Sequence, residues 1–98
     1  MHMASTSLKP GTAEAFEAVE LVNGSRQEDY GPPAKNYAGI AAVWSGLLAQ
    51  KLNAPITPEE AALMMVGLKI QRQCMKPKRD NMVDAHGYLL VAAHCRGE

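Results

Sequence analysis

Two cations and two carboxylates come together where one predicted helix ends and the next begins. Lys69 and Arg72 lie one turn apart, and Asp80 and Asp84 follow after a short basic connection. Cations at such a spacing can hold phosphate oxygens, and two aspartates suffice as the protein ligands of a Mg²⁺ ion that keeps several waters. The same four charges can equally pair with one another and fix the register of two antiparallel helices. The sequence leaves both interpretations open.

The elements that must position these charges are helices. Apolar residues recur at intervals of three and four along four segments, at about 12–23, 34–52, 58–75 and 81–94. The start of the third segment, Thr57-Pro58-Glu59-Glu60, combines a capping threonine, a proline at the first helical position and a glutamate three residues after the cap. No stretch alternates as a strand would. The sequence therefore predicts an all-α fold, a compact four-helix domain.

The fourth helix carries the carboxylates on a face that turns inward. Asp80, Asp84 and Tyr88 lie at i, i+4 and i+8, and the same face continues into Val91. A short connection makes the third and fourth helices antiparallel neighbours, so that Lys69 and its neighbouring arginine can approach these carboxylates. Asp80 could instead serve as the N-cap of the fourth helix.

Two further features bear on function. The segment Ser25–Pro33 is predicted to be a loop and contains Arg26 and Tyr30, side chains that often serve binding when they lie on loops. The third helix is apolar almost all round between Ala61 and Leu68. Such a helix must be surrounded by the other helices or by a second subunit, so we expect a homo-oligomer that forms through the third or second helix.

Composition excludes several classes of protein. The 98 residues suit one domain, here assigned to 12–95, after a flexible arm at 1–11 whose opening Met1–Ser5 resembles a cloning scar. Ten basic and ten acidic side chains balance, which argues against nonspecific binding of nucleic acid. No apolar run approaches the roughly 18 residues of a membrane span, and no signal peptide is visible. Two cysteines without a CxxC pair fit a reducing cytoplasm.

A set of short motifs, taken in order, resembles a small uncharacterised domain family common in tailed phages and prophages. The match covers roughly residues 12–93. The motifs are Arg26, Asp29-Tyr30-Gly31, Asn36, Trp44-Ser45, Thr57-Pro58-Glu59, Leu68-Lys69-Ile70, Arg72, Asp80, Val83-Asp84 and Gly87-Tyr88. The resemblance implies a phage or prophage protein that acts in the cytoplasm of a bacterial host.

A more distant similarity is to MazG-like all-α nucleotide pyrophosphohydrolases, which hold Mg²⁺ with acidic helices beside a nucleoside triphosphate. Here the candidate acidic pairs are Glu17-x-x-Glu20 and Asp80-x-x-x-Asp84; the second has a different spacing, and the first lacks the usual doubled glutamate. We therefore leave open whether the protein is an enzyme.

Two functional hypotheses follow. The first is binding of a nucleotide or phosphorylated small molecule, with Mg²⁺-dependent pyrophosphohydrolysis as an extension. Its ligand-binding residues are Arg26, Tyr30, Lys69, Arg72 and Tyr88, and its Mg²⁺ ligands are Asp80 and Asp84. The alternative is a non-catalytic phage accessory protein that sequesters a host ligand or binds a host protein, with the charged cluster purely structural.

Overall fold

Residues 9–97, the part of the chain that the computed structural model describes, form four long helices, one short helix and no strand. The helices are α1 (Thr12–Asn23), α2 (Ser25–Tyr30), α3 (Pro33–Leu47), α4 (Pro58–Met75) and α5 (Arg79–Arg96). The prediction of an all-α, four-helix domain is confirmed. Residues 1–8, most of the predicted arm with its scar-like opening, lie outside the described part.

The start of α4 forms as its sequence predicts. The Thr57 hydroxyl accepts a hydrogen bond from the backbone N–H of Glu60 at 3.1 Å, and the Glu60 carboxylate accepts one from the N–H of Thr57 at 2.9 Å. These two bonds satisfy N–H groups that have no partner within the helix.

Two other helix boundaries differ from the predicted ones. α3 ends at Leu47 and not near residue 52, and residues 48–51 form turns. The reason lies in Ser45, whose hydroxyl accepts a hydrogen bond from the N–H of Ile56 at 2.8 Å and so draws the following segment back over the helix end. α5 begins at Arg79 after Lys78, so Asp80 lies within the first turn and is not the N-cap.

The predicted loop at 25–33 contains α2, and Gly24 is what allows the bend between α1 and α2. A Cβ atom on Gly24 would lie 2.6 Å from the backbone oxygen of Glu20, a separation that real Cβ atoms do not tolerate. Gly31, at a φ of +79°, ends α2 in a conformation that favours glycine. The prediction of a loop is therefore wrong for Ser25–Tyr30, because six residues between two bends are too few to show a helical period.

The central element is the antiparallel hairpin of α4 and α5, against which the other helices pack. At its closed end the side-chain oxygen of Gln73, Oε1, accepts hydrogen bonds from the backbone N–H of Lys78 at 3.0 Å and from the side-chain amide of Asn81 at 3.2 Å. At its open end Arg96 pairs with Glu59 at 3.3 Å. α1 lies along α5, and α3 crosses both helices of the hairpin.

Small side chains dominate the core, which lets the helices approach closely. Ala61 and Ala62 on α4 are fully buried, and no large side chain among residues 9–97 is completely buried. The buried cluster consists of Val22, Tyr37, Ala41, Ala61, Ala62, Val91 and Ala92. Within one chain, the other helices cover only one face of α4, because Leu63 and Met64 on the other face are exposed; the second subunit stays a prediction.

Within residues 9–97 no helix is both long enough and apolar enough to cross a membrane.

Candidate functional site

A pocket of about 300 Å³ opens where α1, α2, α3 and α5 meet. Its lining is largely apolar, with polar groups gathered near α2 and the middle of α5. The lining residues are Ala18, Leu21, Val22, Arg26, Gln27, Tyr30, Gly31, Pro33, Asn36, Tyr37, Ile40, Val83, Asp84, Gly87, Tyr88 and Val91. An apolar concavity with a few convergent polar groups is the usual form of a small-molecule site.

All three tyrosines of the chain line this pocket. The rings of Tyr37 on α3 and Tyr88 on α5 meet edge to face, with centroids 6.5 Å apart. Tyr37 is buried, and burial, followed by the neighbouring Tyr88, raises the pKa of its phenol well above the ordinary value. The hydroxyl therefore keeps its proton over the physiological range. Tyr30 is mostly exposed and forms the rim.

The charged wall of the pocket is built around Asp84. Its Oδ2 atom lies 2.9 Å from Nζ of Lys69, and its Oδ1 atom lies 3.8 Å from Nη2 of Arg26. The lysine side chain is only 13% exposed and the aspartate 22%, whereas the arginine is 47% exposed. Asp84 is thus firmly held from α4 on one side and loosely faced by α2 on the other.

Short helix α2 is what brings Arg26 and Tyr30 to the pocket. The bend at Gly24 redirects the chain after α1, and Gly31 redirects it again before Pro33 starts α3. Between these two bends, one helical turn separates the two side chains, so they lie on the same side of α2.

The structure brings some of the predicted ligand-binding and metal residues together and separates others. Arg26, Tyr30, Asp84 and Tyr88 line the pocket, and Lys69 reaches it through Asp84. Arg72 and Asp80 are exposed, do not line the pocket and form no ion pair with residues 9–97. The sequence predicted a cluster of four charges. The structure instead has the pair Lys69–Asp84, with Arg26 of α2 as a third charge nearby.

The acidic edge of α1 has a partner of its own. Arg79 pairs with Glu14 at 3.4 Å and with Glu17, which clamps the start of α5 to α1. Glu17 is therefore engaged away from Asp84. In the described part of the chain, no group of three or more His, Cys, Asp or Glu side chains could hold a metal ion.

Three polar residues of the pocket, Gln27, Asn36 and Tyr37, were not predicted as site residues. The apolar spacing of α3 indicates a core position for Tyr37, and this is confirmed, but the buried residue also lines the pocket. The available signal was the number of tyrosines, since a chain with three tyrosines and one phenylalanine has few other groups to line an aromatic site.

Comparison with known proteins agrees with the predicted phage family. The family model described as "Domain of unknown function (DUF6378)" matches residues 16–96. The "Gene 55 protein" of Mycobacterium phage L5 is 40% identical over 72 residues, which cover 72% of this chain and 44% of that protein. The "Gene 55 protein" of Mycobacterium phage D29 is 34% identical over 73 residues, covering 74% and 46%.

The chain spans less than half the length of these curated relatives. No solved structure matches it. The distant similarity to MazG-like enzymes therefore stays a prediction. A family model that covers residues 16–96, from the first helix to the end of the last, does decide the family: the chain belongs to the DUF6378 family.

Proposed function

We propose that the pocket binds a nucleotide or another phosphorylated small molecule that carries a planar ring. The observation that carries this proposal is the convergence of three tyrosines and one arginine on a single pocket of about 300 Å³. That volume lies at the lower end of the range of about 300–1,000 Å³ that is usual for small-molecule sites, so it suits one ring system.

The ring of the ligand would lie among the tyrosines. The apolar walls formed by Val22, Val83 and Ile40 offer favourable burial, and Tyr37 and Tyr88 offer aromatic faces and edges. Tyr30 at the rim can cover the ring from the solvent side.

The phosphate would bind Arg26. Among the residues that line the pocket it is the only cation, and its distance of 3.8 Å from Asp84 is too long for a strong hydrogen bond. The guanidinium can therefore turn toward an anion at little cost and bind two of its oxygens. Lys69 supports this by neutralising Asp84, whose charge would otherwise repel the phosphate.

The Oδ1 atom of Asp84 adds a second kind of recognition. Lys69 holds Oδ2, and among residues 9–97 the other oxygen has only Arg26 as a partner, at 3.8 Å. Oδ1 can therefore accept a hydrogen bond from an N–H or O–H group of the ligand. A base or sugar donor together with a phosphate would satisfy both Asp84 and Arg26, which is why we favour a nucleotide.

Binding, and not hydrolysis, is the core of the proposal. Lys69 competes with any Mg²⁺ for Asp84, and Asp80 lies outside the pocket. Mg²⁺ ligation by these two aspartates stays a prediction, and no step of the proposal depends on it.

The experiment is a titration of nucleotides and of the matching nucleosides, followed by thermal shift and calorimetry. We expect saturable binding of at least one nucleotide, and Arg26→Gln to weaken it at least tenfold while changing nucleoside binding little. The control is Lys51→Gln, which removes an exposed cation far from the pocket and should change neither. Parallel titrations, one with added Mg²⁺ and one with a chelator, test whether Mg²⁺ contributes to nucleotide binding.

A flat response across the whole panel would contradict the proposal. So would equal weakening by both variants, because it would indicate a general charge effect in place of a contact.

The alternative function, a non-catalytic accessory protein in which the charges are architectural, is favoured by one observation: Lys69 and Asp84 form a short, mostly buried pair. The variant Asp84→Asn distinguishes the binding function from the architectural role. If the variant keeps the melting temperature of the unchanged protein but loses the nucleotide-induced shift, the binding function gains. If it simply unfolds, the architectural role gains.

A further inference from the structure

The outward face of α4 carries apolar side chains that no other part of the described chain covers. Leu63, Gly67, Ile70 and Cys74 follow one another at intervals of four, three and four residues, and all are exposed, with Ile70 at 56%. This spacing is that of a seam between two paired helices. Met64 and Met75 flank the seam, and Met75 is 75% exposed.

Gly67 lies at the middle of this face, where residues 9–97 leave open space beside its backbone. A Cβ atom added there would meet nothing within 4 Å. A glycine in a helix interior is unfavourable compared with alanine, and its known structural use is to let another backbone approach closely.

We propose that a second copy of this chain packs antiparallel along α4, with the two Gly67 residues at the crossing point. The charges select this occupant and this orientation. Glu60 lies at the start of α4, while Lys76 and Lys78 follow its end. Antiparallel packing places each acidic start beside the other copy's basic end, and it also opposes the two helix dipoles. Parallel packing would place like charges together.

An apolar groove beside the start of α4 fits the same arrangement. Leu48, Leu52, Ile56, Leu63 and Met64 line it together with one charged residue, Glu60. This groove lies about two turns before Gly67, and Met75 lies about two turns after it. The antiparallel arrangement therefore brings the exposed Met75 of the second copy over the groove.

This surface is separate from the pocket, which α1, α2, α3 and α5 form without α4. The proposal of a dimer and the proposal of a ligand therefore rest on different surfaces, and an experiment can contradict either one without contradicting the other.

The first test is the molar mass by light scattering and by sedimentation at several concentrations. We expect a dimer, and we expect Ile70→Glu to raise the dissociation constant at least tenfold because it buries a charge in the seam. The matched control is Leu89→Glu, at a similarly exposed apolar residue of α5, which should leave the dimer intact. Circular dichroism checks that both variants keep their helices. A monomer at all concentrations, or a dimer indifferent to Ile70→Glu, would overturn the proposal.

The second test is the orientation. Lys76→Glu should weaken the dimer, and adding Glu60→Gln, which keeps an oxygen to accept the Thr57 N–H and removes the charge opposite the new glutamate, should restore part of the association. Glu60→Cys places a thiol opposite Cys74 of the second copy, so mild oxidation should give a covalent dimer that reducing agent dissolves. The unchanged protein should not cross-link, because antiparallel packing holds its two Cys74 thiols about four helical turns apart. Rapid cross-linking of the unchanged protein through Cys74 would refute the antiparallel arrangement.

Discussion

The ammonium group of Lys69 lies 2.9 Å from Oδ2 of Asp84, and this contact joins the second half of α4 to the first half of α5. Both side chains are largely withdrawn from water, yet Asp84 also lines the pocket, and its other oxygen, Oδ1, lies 3.8 Å from Nη2 of Arg26. Asp84 thus links the two helices of the hairpin through Oδ2, while Oδ1 is available to the candidate site.

Removal of the lysine should expose how much this contact stabilises the hairpin. Lys69→Met leaves a partly buried carboxylate with only a distant guanidinium, so we expect a loss of about 2 kcal/mol, between the values typical of exposed and buried pairs. Chemical denaturation measures it. The double variant Lys69→Met/Asp84→Leu should recover most of the loss, because no uncompensated charge remains. If the double variant is as unstable as the single one, packing of the lysine stem and not its charge is responsible.

Two glycine substitutions should act in opposite directions. Gly24→Ala forces a Cβ against the backbone of Glu20, so we expect a loss of about 1–3 kcal/mol and weaker ligand binding as α2 shifts. Gly39→Ala, in the interior of α3 with open space around it, should gain about 0.5–1 kcal/mol. Thermal melts of the two variants beside the unchanged protein give the comparison. Equal effects of the two would show that the bend after α1 does not depend on glycine.

Stability should fall at alkaline pH, and Tyr37 should account for part of the fall. Because the folded protein raises the pKa of this phenol above its ordinary value of 10.0, the folded state holds the proton longer than the unfolded state. The resulting stability is complete below about pH 10 and is lost as the pH rises through the folded value. Tyr37→Phe should therefore decline less steeply above pH 10. Denaturation curves from pH 7 to 11 test this, and identical slopes would refute it.

The cap of α4 should be measurable on its own. Thr57→Ala removes the acceptor for the Glu60 N–H and should cost about 1 kcal/mol. Thr57→Ser keeps the hydroxyl and serves as the control, with an expected change of a few tenths of a kcal/mol. If urea denaturation finds the two variants equal, the methyl group of the threonine and not its hydroxyl is what matters.

The predictability of this fold from sequence varied with the strength of the local signal. Thr57, Pro58 and Glu60 act within one turn of each other, and that helix start appears where it was predicted. The end of α3 was misjudged by about five residues because its stop depends on Ser45 binding Ile56, which is a contact between distant positions. α2 was not predicted, because six residues are too few to show a helical period.

The candidate site could be predicted from the sequence only in part, for the same reason. Asp84 and Tyr88 could be placed on one face by counting along α5, and the antiparallel hairpin brings Lys69 within reach of Asp84. Arg72 lies only three residues from Lys69 yet is exposed, and its spacing in the sequence does not show this. Which residues of α2 and α3 close the pocket depends on how α1 bends at Gly24, and spacing alone does not encode that.

Val22, Tyr37 and Val91 belong at once to the buried core and to the lining of the pocket. A ring bound in the pocket would therefore pack directly against the core and extend it with atoms from outside the chain. The occupancy of the pocket would then set how often α1 and α3 separate from α5. Backbone amides in those helices should exchange with deuterium more slowly as the ligand concentration rises, and an added protease should cut the chain more slowly.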